Sequence, residues 1–377
     1  MTAYITFFPI GNADATLIRL ADDRLVMMDF AHQGNPENPN DKRCNLPKEV
    51  RDAMDDAGQE SFSAVAFTHL DDDHICKATE FFWLEHASKY QGGDRVKIDE
   101  LWVPAAAIVE DGLEDEARII RQEARYRLKQ GKGIKVFSRP GMLKDFFDKN
   151  GIKLADRMHC IVDAGKLVPT FSINGPEKAE FFVHSPFASR TKEGELVDRN
   201  RDSIVVQLTM AEGVNKTRTI LGSDVDHEAL TRIVNTTRWH GNNERLEWAI
   251  LHLFHHCSYK SLSNEKGSDK TVPVPEVKWL MEEQSAHRAI VISPSKPIPA
   301  QGSKEDEDVQ PPHRQAANYY KGVTRDIQGQ FKVTMETPSE ARPKPIRVKI
   351  TAAGAAIMLA AAATATAAAT NRPTRAG

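Results

Sequence analysis

Short apolar runs of strand length punctuate this chain, and they come in two series. "AYITFFPI", "ATLIRL", "RLVMMDF" and "SAVAFT" open the sequence, separated by polar turns such as "GNAD" and "ADD". "AEFFVHSP", "DSIVVQLTM", "TRTILGS" and "WAILHLF" form the second series. Runs rich in Val, Ile and Phe, bounded by Gly, Asn and Asp, read as strands. Helical segments lie between them. "ATEFFWLEHASKY" has helical composition and no breaker. Leu113, Ala117, Ile120, Ala124 and Leu128 step by three or four and end at Gly131 and Gly133. "HEALTRIVNTT" follows the third strand of the second series. Two strand-rich halves with helices between them predict an α/β fold, a sandwich of layered sheets rather than one doubly wound sheet.

At 377 residues the chain can bury a large core. Residues 1–330 are read as one domain. The proline-rich, acidic stretch 293–312 is expected to be a mobile loop. Residues 331–377 are read as a C-terminal strand pair, "QFKVTMET" with "IRVKITA" as a hairpin, followed by an Ala-rich peripheral tail. That tail is long enough to cross a bilayer, but alanine dominates it, so a membrane span is not expected. A net charge of −3 gives no global reason for tight, non-specific nucleic-acid binding, and no strong basic patch is evident. Cys44, Cys76, Cys160 and Cys257 are widely spaced and read as reduced thiols. The N-terminal stretch looks like a first strand rather than a signal peptide, and a cytoplasmic location is the default expectation. Loop 293–312 and the tail are candidate contacts for a protein partner.

"THLDDDH", residues 68–74, stands where a strand ends and a helix begins. Side chains from such a turn can converge, and His69, Asp71, Asp73 and His74 are all of metal-ligating type. Imidazole with carboxylate suits Zn, Mn or Fe. The bland alternative is an acidic helix cap, since Asp before a helix satisfies free N–H groups and favours the dipole. A cap does not call for two flanking histidines.

The motif resembles the HxHxDH signature of the metallo-β-lactamase superfamily, with Asp71 in place of the second histidine. This HxDxDH form is similar to the metallohydrolase domain of ComEC-type competence proteins and their stand-alone relatives. Further elements follow in the family's order: "PIGNADATLIRL" with Asp14, "MMDF" with Asp29, "FFVHSP", "NRDSIVVQL", "TILGSD", "LFHHCSYKS" and "PPHRQAANYY" around His313. The resemblance covers most of residues 4–330 and implies an αββα sandwich. It implies that His69 and Asp71 bind one divalent ion, and Asp73 and His74 another. Asp224 would bridge them, and His255 or His256 would be the last ligand, with His255 favoured because it directly follows a strand. Asn200 stands where most members place a third histidine, and is a weak oxygen ligand or a water-orienting group; His184 is an alternative donor. Cys257 replaces a glycine and is either a thiolate ligand or a small packed residue.

The implied function is that of a metal-dependent hydrolase using a metal-activated water, with two ions (Zn or Mn) or one, and with Asp73 and Asp224 as the carboxylates nearest the chemistry. A phosphodiesterase or nuclease comes first, with a nucleotide or nucleic acid as substrate. Ser258, Lys260 and Ser261 are candidate phosphate contacts. Hydrolysis of a small ester, lactone or amide is the alternative, as is a metal-stabilised binding or regulatory subunit with little turnover.

Overall fold

The computed structural model describes residues 3–187 and 199–358. In chain order the strands of the first half are β1 (Tyr4–Phe7), β2 (Ala15–Arg19), β3 (Leu25–Phe30), β4 (Ser61–Phe62), β5 (Ala64–Ala66), β6 (Lys97–Ile98), β7 (Leu101–Pro104), β8 (Ile134–Phe137) and β9 (Ile161–Val162). Those of the second half are β10 (Ala179–Ser185), β11 (Val205–Glu212), β12 (Asn215–Leu221), β13 (Trp248–His252), β14 (Ser285–Ser293), β15 (Gln330–Val333), β16 (Ile346–Thr351) and β17 (Gly354–Ile357). Interspersed are helices α1 (Leu46–Ala57), α2 (Asp72–Ile75), α3 (Ala78–Phe81), α4 (Ala105–Val109), α5 (Asp115–Gln130), α6 (Gly141–Lys149), α7 (His227–Trp239), α8 (Pro275–Glu282) and α9 (Arg314–Asp326).

Two large sheets result. The nine-stranded sheet runs β17-β16-β1-β2-β3-β5-β7-β8-β9, and the six-stranded sheet runs β10-β11-β12-β13-β14-β15. Side chains on successive residues of a strand point to opposite faces, and both faces here are apolar. In β3, Val26 and Met28 pack against the other sheet with Ile250, Ile290 and Ile292, while Leu25 and Met27 pack against helices of the first half. In β13 and β14, Leu251 and Val291 turn to the opposite face, onto Leu230, Val277 and Val323 of α7, α8 and α9. The four layers make an αββα sandwich, as the strand pattern and the motifs predict.

Helix α5 follows its predicted period, and Gly131 ends it in the left-handed conformation (φ 72°) with its N–H on the carbonyls of Arg127 and Leu128. The segment "ATEFFWLEHASKY" departs from expectation. Only Ala78–Phe81 is α-helical, and Phe82 is extended. Phe81 and Phe82 close on Phe30 with ring centroids 4.6 and 5.2 Å away, and Phe82 also meets Phe62 and Phe67. The N–H groups of Glu85 and His86 donate to buried Glu123 on α5. Tertiary aromatic packing and this buried carboxylate override a helical composition.

The expected hairpin of "QFKVTMET" with "IRVKITA" does not form. β15 joins the six-stranded sheet beside β14, whereas β16 joins the other sheet beside β1 and pairs with β17. Residues 351–357 are therefore strand and turn rather than peripheral tail, and the tail beyond 358 lies outside the described residues. The stretch 294–312 carries one short 3₁₀ turn, Lys304–Glu307. It is tied down by Lys296 N–H donating to Asn12 Oδ1 (2.8 Å) and by the Arg314–Asp306 ion pair (3.1 Å). Between it and Asn12 lies a cavity of about 610 Å³. Among the described residues no helix is long and apolar enough to cross a membrane.

Candidate metal centre

Strand direction places the site. β1, β3 and β5 run the same way in one sheet, and β12 runs parallel to β13 in the other. Asp14 lies on the turn after β1, Asp29 near the end of β3, Thr68 to His74 after β5, Ser223 and Asp224 after β12, and His252 to His256 at and after β13. Ligand sites gather outside the carboxyl ends of strands in open α/β sheets because loop side chains converge there.

Asp14, His74, Asp224 and His256 are all buried and bring ligand atoms within 4.8 Å of one another; His69, Asp73 and His74 form a second such group. His74 Nε2 lies 3.4 Å from Asp224 Oδ1, and His256 Nε2 lies 3.2 Å from Asp73 Oδ2 and 3.6 Å from Asp224 Oδ2. The far side of each ring is held. His74 Nδ1 sits 2.8 Å from Asp29 Oδ2, and His256 Nδ1 sits 3.0 Å from the Pro294 carbonyl. His69 Nδ1 faces the hydroxyls of Ser223 (3.2 Å) and Thr68 (3.3 Å). Holding one ring nitrogen in this way leaves the other as a lone-pair donor, the usual arrangement behind a metal-ligating imidazole.

Asp29 adopts a left-handed φ of 54°, rare for an aspartate. Its carboxylate accepts from the Thr68 N–H (2.7 Å) and Thr68 Oγ1 (2.6 Å), besides meeting His74. These bonds hold the strained residue, so Asp29 sets the position of the whole "THLDDDH" turn. His255, His256 and Cys257 are likewise left-handed, at φ 46°, 50° and 67°. That tight coil brings His256 back beneath the end of β13.

The electrostatics fit a cation. Burial alone would raise the Asp224 carboxyl, but His256 and His74 hold it well below the usual carboxylate range. Burial would likewise raise Asp73, and the His256 hydrogen bond and His74 bring it down to about 2. Burial depresses both imidazoles, yet Asp29 and Asp224 push His74 well up, and Asp224 with Asp73 pushes His256 up to about 9. Asp14, buried against His252 Nε2 at 3.1 Å, is also held low. The pocket thus gathers four carboxylates, a field that favours positive charge at its centre, whether on the imidazoles or on an ion that takes the place of their protons. Asp14 Oδ2, His69 Nε2, His74 Nε2 and Asp224 Oδ1 are buried without a hydrogen-bond partner. Unpartnered buried polar atoms are costly, and a divalent ion would satisfy several at once. Nitrogen and oxygen donors of this kind suit Zn, Mn or Fe.

The acidic-cap alternative for "THLDDDH" is met in position, with Asp72 and Asp73 in the first turn of α2, but not in capping bonds. Asp71 is at the N-cap of α2, but its side chain makes no capping bond. Its carboxylate lies instead 3.6 Å from His69 Nε2 and 2.8 Å from Arg199 Nη1. Of the adjacent histidines, His256 joins the buried group and also meets Asp73. His255, the one favoured from the sequence, lies at a similar distance from Asp224 Oδ2 (3.7 Å), but its side chain is 23% exposed at the rim. His184 is elsewhere, its Nε2 2.8 Å from the Arg245 carbonyl, and burial keeps it neutral with a pKa of about 4. Asn200 is half-buried, and its carbonyl accepts from Ser203 Oγ (2.6 Å). Cys257 is buried in the outer core, and burial pushes its thiol up to about 12, so packing explains it.

The hydroxyls proposed for phosphate binding are used internally. Ser261 Oγ donates to the Val225 carbonyl (2.9 Å), and buried Ser258 Oγ accepts from the Lys260 N–H (3.2 Å). Lys260 alone of the three is exposed. Sequence reasoning passed over Asp14 and Asp29 as site residues although their motifs were visible. It had no signal for His252, Ser223, Arg199 or Glu110, which only the fold brings together.

Neither a family model nor a curated protein matches the chain. Among solved structures it is similar to a new diphosphatase from the PhnP family, with 10% identity, 77% of this chain and 85% of that one covered, and a TM-score of 0.32. It is also similar to a subclass B3 metallo-β-lactamase of Bradyrhizobium japonicum, with 14% identity, coverage of 86% and 92%, and a TM-score of 0.26.

Proposed function

We propose that this chain is a metal-dependent hydrolase of phosphodiesters, of the ComEC-like branch that Asp71 suggests. The observation that carries the reading is the buried convergence of Asp14, His74, Asp224 and His256, with Asp73 at its edge 3.2 Å from His256 Nε2, and with the far sides of His74 and His256 held by Asp29 and Pro294. These residues, with His69 and Asp71 on the outer side, would hold the ion or ions. A bound divalent ion supplies a more acidic water and positive charge beside a developing oxyanion.

The protein's own groups supply the rest. Asp73 is ionised and its side chain is 33% exposed, so it is the carboxylate that faces both the buried cluster and the mouth. His255 stands at the rim, and burial holds its ring in the neutral form, able to accept a proton or relay one to a leaving group. Arg199, joined to the cluster through Asp71, favours a phosphoryl substrate over an uncharged ester, because a guanidinium matches phosphate oxygens in geometry and charge. The low net charge favours a nucleotide or short end over a long polymer.

The test is turnover of bis-p-nitrophenyl phosphate, single-stranded DNA, RNA and a cyclic dinucleotide with Mn or Zn, alongside a simple ester and a lactone. Diester cleavage by the wild type, lowered at least about 100-fold in Asp73→Asn, is expected. Ester or lactone turnover without diester turnover would replace this reading with the alternative hydrolase. Metal binding with no turnover would point to the binding subunit.

A further inference from the structure

The outer half of the centre already contains a fixed cation. Arg199 Nη1 lies 2.8 Å from Asp71 Oδ1, and Arg199 Nε lies 2.6 Å from Glu110 Oε1. The guanidinium is thereby clamped between two carboxylates contributed by distant parts of the chain. Asp71 and Arg199 are 37% and 39% exposed at the side chain, so the clamp sits at the mouth rather than in the core. Asp71 Oδ2 faces His69 Nε2 at 3.6 Å.

The inner half is built differently. Asp14, His74, Asp224 and His256 are almost fully buried, and no arginine or lysine pairs with them among the described residues. A transition-metal site needs three or four protein donors. The inner half offers that number from Asp14, His74, Asp224 and His256. The outer half has His69 and Asp73 beside His74, which the inner half already uses, and Asp71, which is already paired with a guanidinium that cannot lose its proton.

We propose that the centre binds one divalent ion tightly, in its inner half, and that Arg199 supplies the positive charge of the outer half, where it meets phosphoryl oxygens of the substrate. This rests on the phosphodiesterase reading above and specifies its electrostatics. A second ion beside Asp71 would face repulsion from the guanidinium and gain less from a carboxylate that is already paired. The two anchoring carboxylates hold the planar fork in one orientation, which limits the side-chain entropy lost when an anion docks.

The test is elemental analysis of the wild type and Arg199→Gln after saturation with Mn and gel filtration, with Glu110→Gln as a variant that loosens the clamp but keeps the arginine. One ion per chain is expected in the wild type and Glu110→Gln, rising towards two in Arg199→Gln. Two ions in the wild type, or an unchanged single ion in Arg199→Gln, would overturn the stoichiometric claim. Calorimetric titration of inorganic phosphate into the Mn-loaded proteins tests the other half. A Kd at least tenfold weaker in Arg199→Gln is expected, and an equal Kd would overturn a role in anion binding. A wild type that takes up no metal would instead refute the proposed function itself. Both substituted side chains are partly exposed, so circular dichroism should show the variants folded.

Discussion

Replacing Asp224 with asparagine removes one charge at the centre of the cluster and almost no volume. Asp224 is 3% exposed, faces both His74 and His256, and has an oxygen without a hydrogen-bond partner. If these residues hold an ion, that ion stabilises the folded state by mass action, by about 4 kcal/mol at a free concentration 1,000 times its Kd. The unfolding entropy of a 377-residue chain is about 0.8 kcal/mol/K near its melting temperature. The wild type, stripped with a chelator and then given excess Mn, should therefore melt about 5 °C higher than the stripped protein. Asp224→Asn should lose most of that rise, because an amide is a far poorer ligand for a hard cation than a carboxylate. Thermal unfolding followed by circular dichroism, with and without Mn, measures both. An equal rise in wild type and Asp224→Asn would place the ion elsewhere and refute the assignment.

Two further perturbations separate residues that the sequence alone could not rank. His256→Ala should weaken metal retention against a competing chelator by more than about 100-fold, beyond the usual cost of losing an outer partner, whereas His255→Ala should leave retention near wild type and act on turnover. His184 provides a pH signature away from the centre. Burial lowers its folded-state pKa to about 4, below an unfolded value near 6.5, so its contribution is fully present above pH 6.5 and is lost as pH falls towards 4. The shift is worth roughly 3 kcal/mol, and urea unfolding should lose that much more stability between pH 7 and pH 4 in the wild type than in His184→Gln. Equal losses would mean that His184 already titrates normally.

The architecture was legible because its signals are local. Strand runs such as "RLVMMDF" and "WAILHLF" are apolar on both faces, and the sandwich buries both faces of Leu25–Met28 and Ile250–Leu251 in different layers. Where non-local packing dominates, legibility ends. Nothing in "ATEFFWLEHASKY" announces that Phe81 and Phe82 must leave a helix to reach Phe30, or that the backbone after them hangs on Glu123. The sheet chosen by β16 is equally silent, since "IRVKITA" offers an alternating pattern that fits either edge; its pairing with β1 is a matter of topology.

The site divides along the same line. His69, Asp73 and His74 share one turn, so their convergence follows from spacing. Asp224 and His256 meet them only because β12 and β13 end at the same edge as β5, which motif order suggested and geometry alone could supply. The choice between His255 and His256 depends on three consecutive left-handed residues, a backbone path that residue identity does not encode. Asp71 shows the limit most clearly. Its identity marked it as the unusual member of the motif, but its consequence depends on Arg199, 128 positions away in the chain, and on Glu110 behind it. A carboxylate beside His69 reads as a ligand, whereas the same carboxylate paired with a guanidinium becomes the anchor of a second positive charge. Residue type alone left that role open, and the ion pair is the reason to expect one ion rather than two.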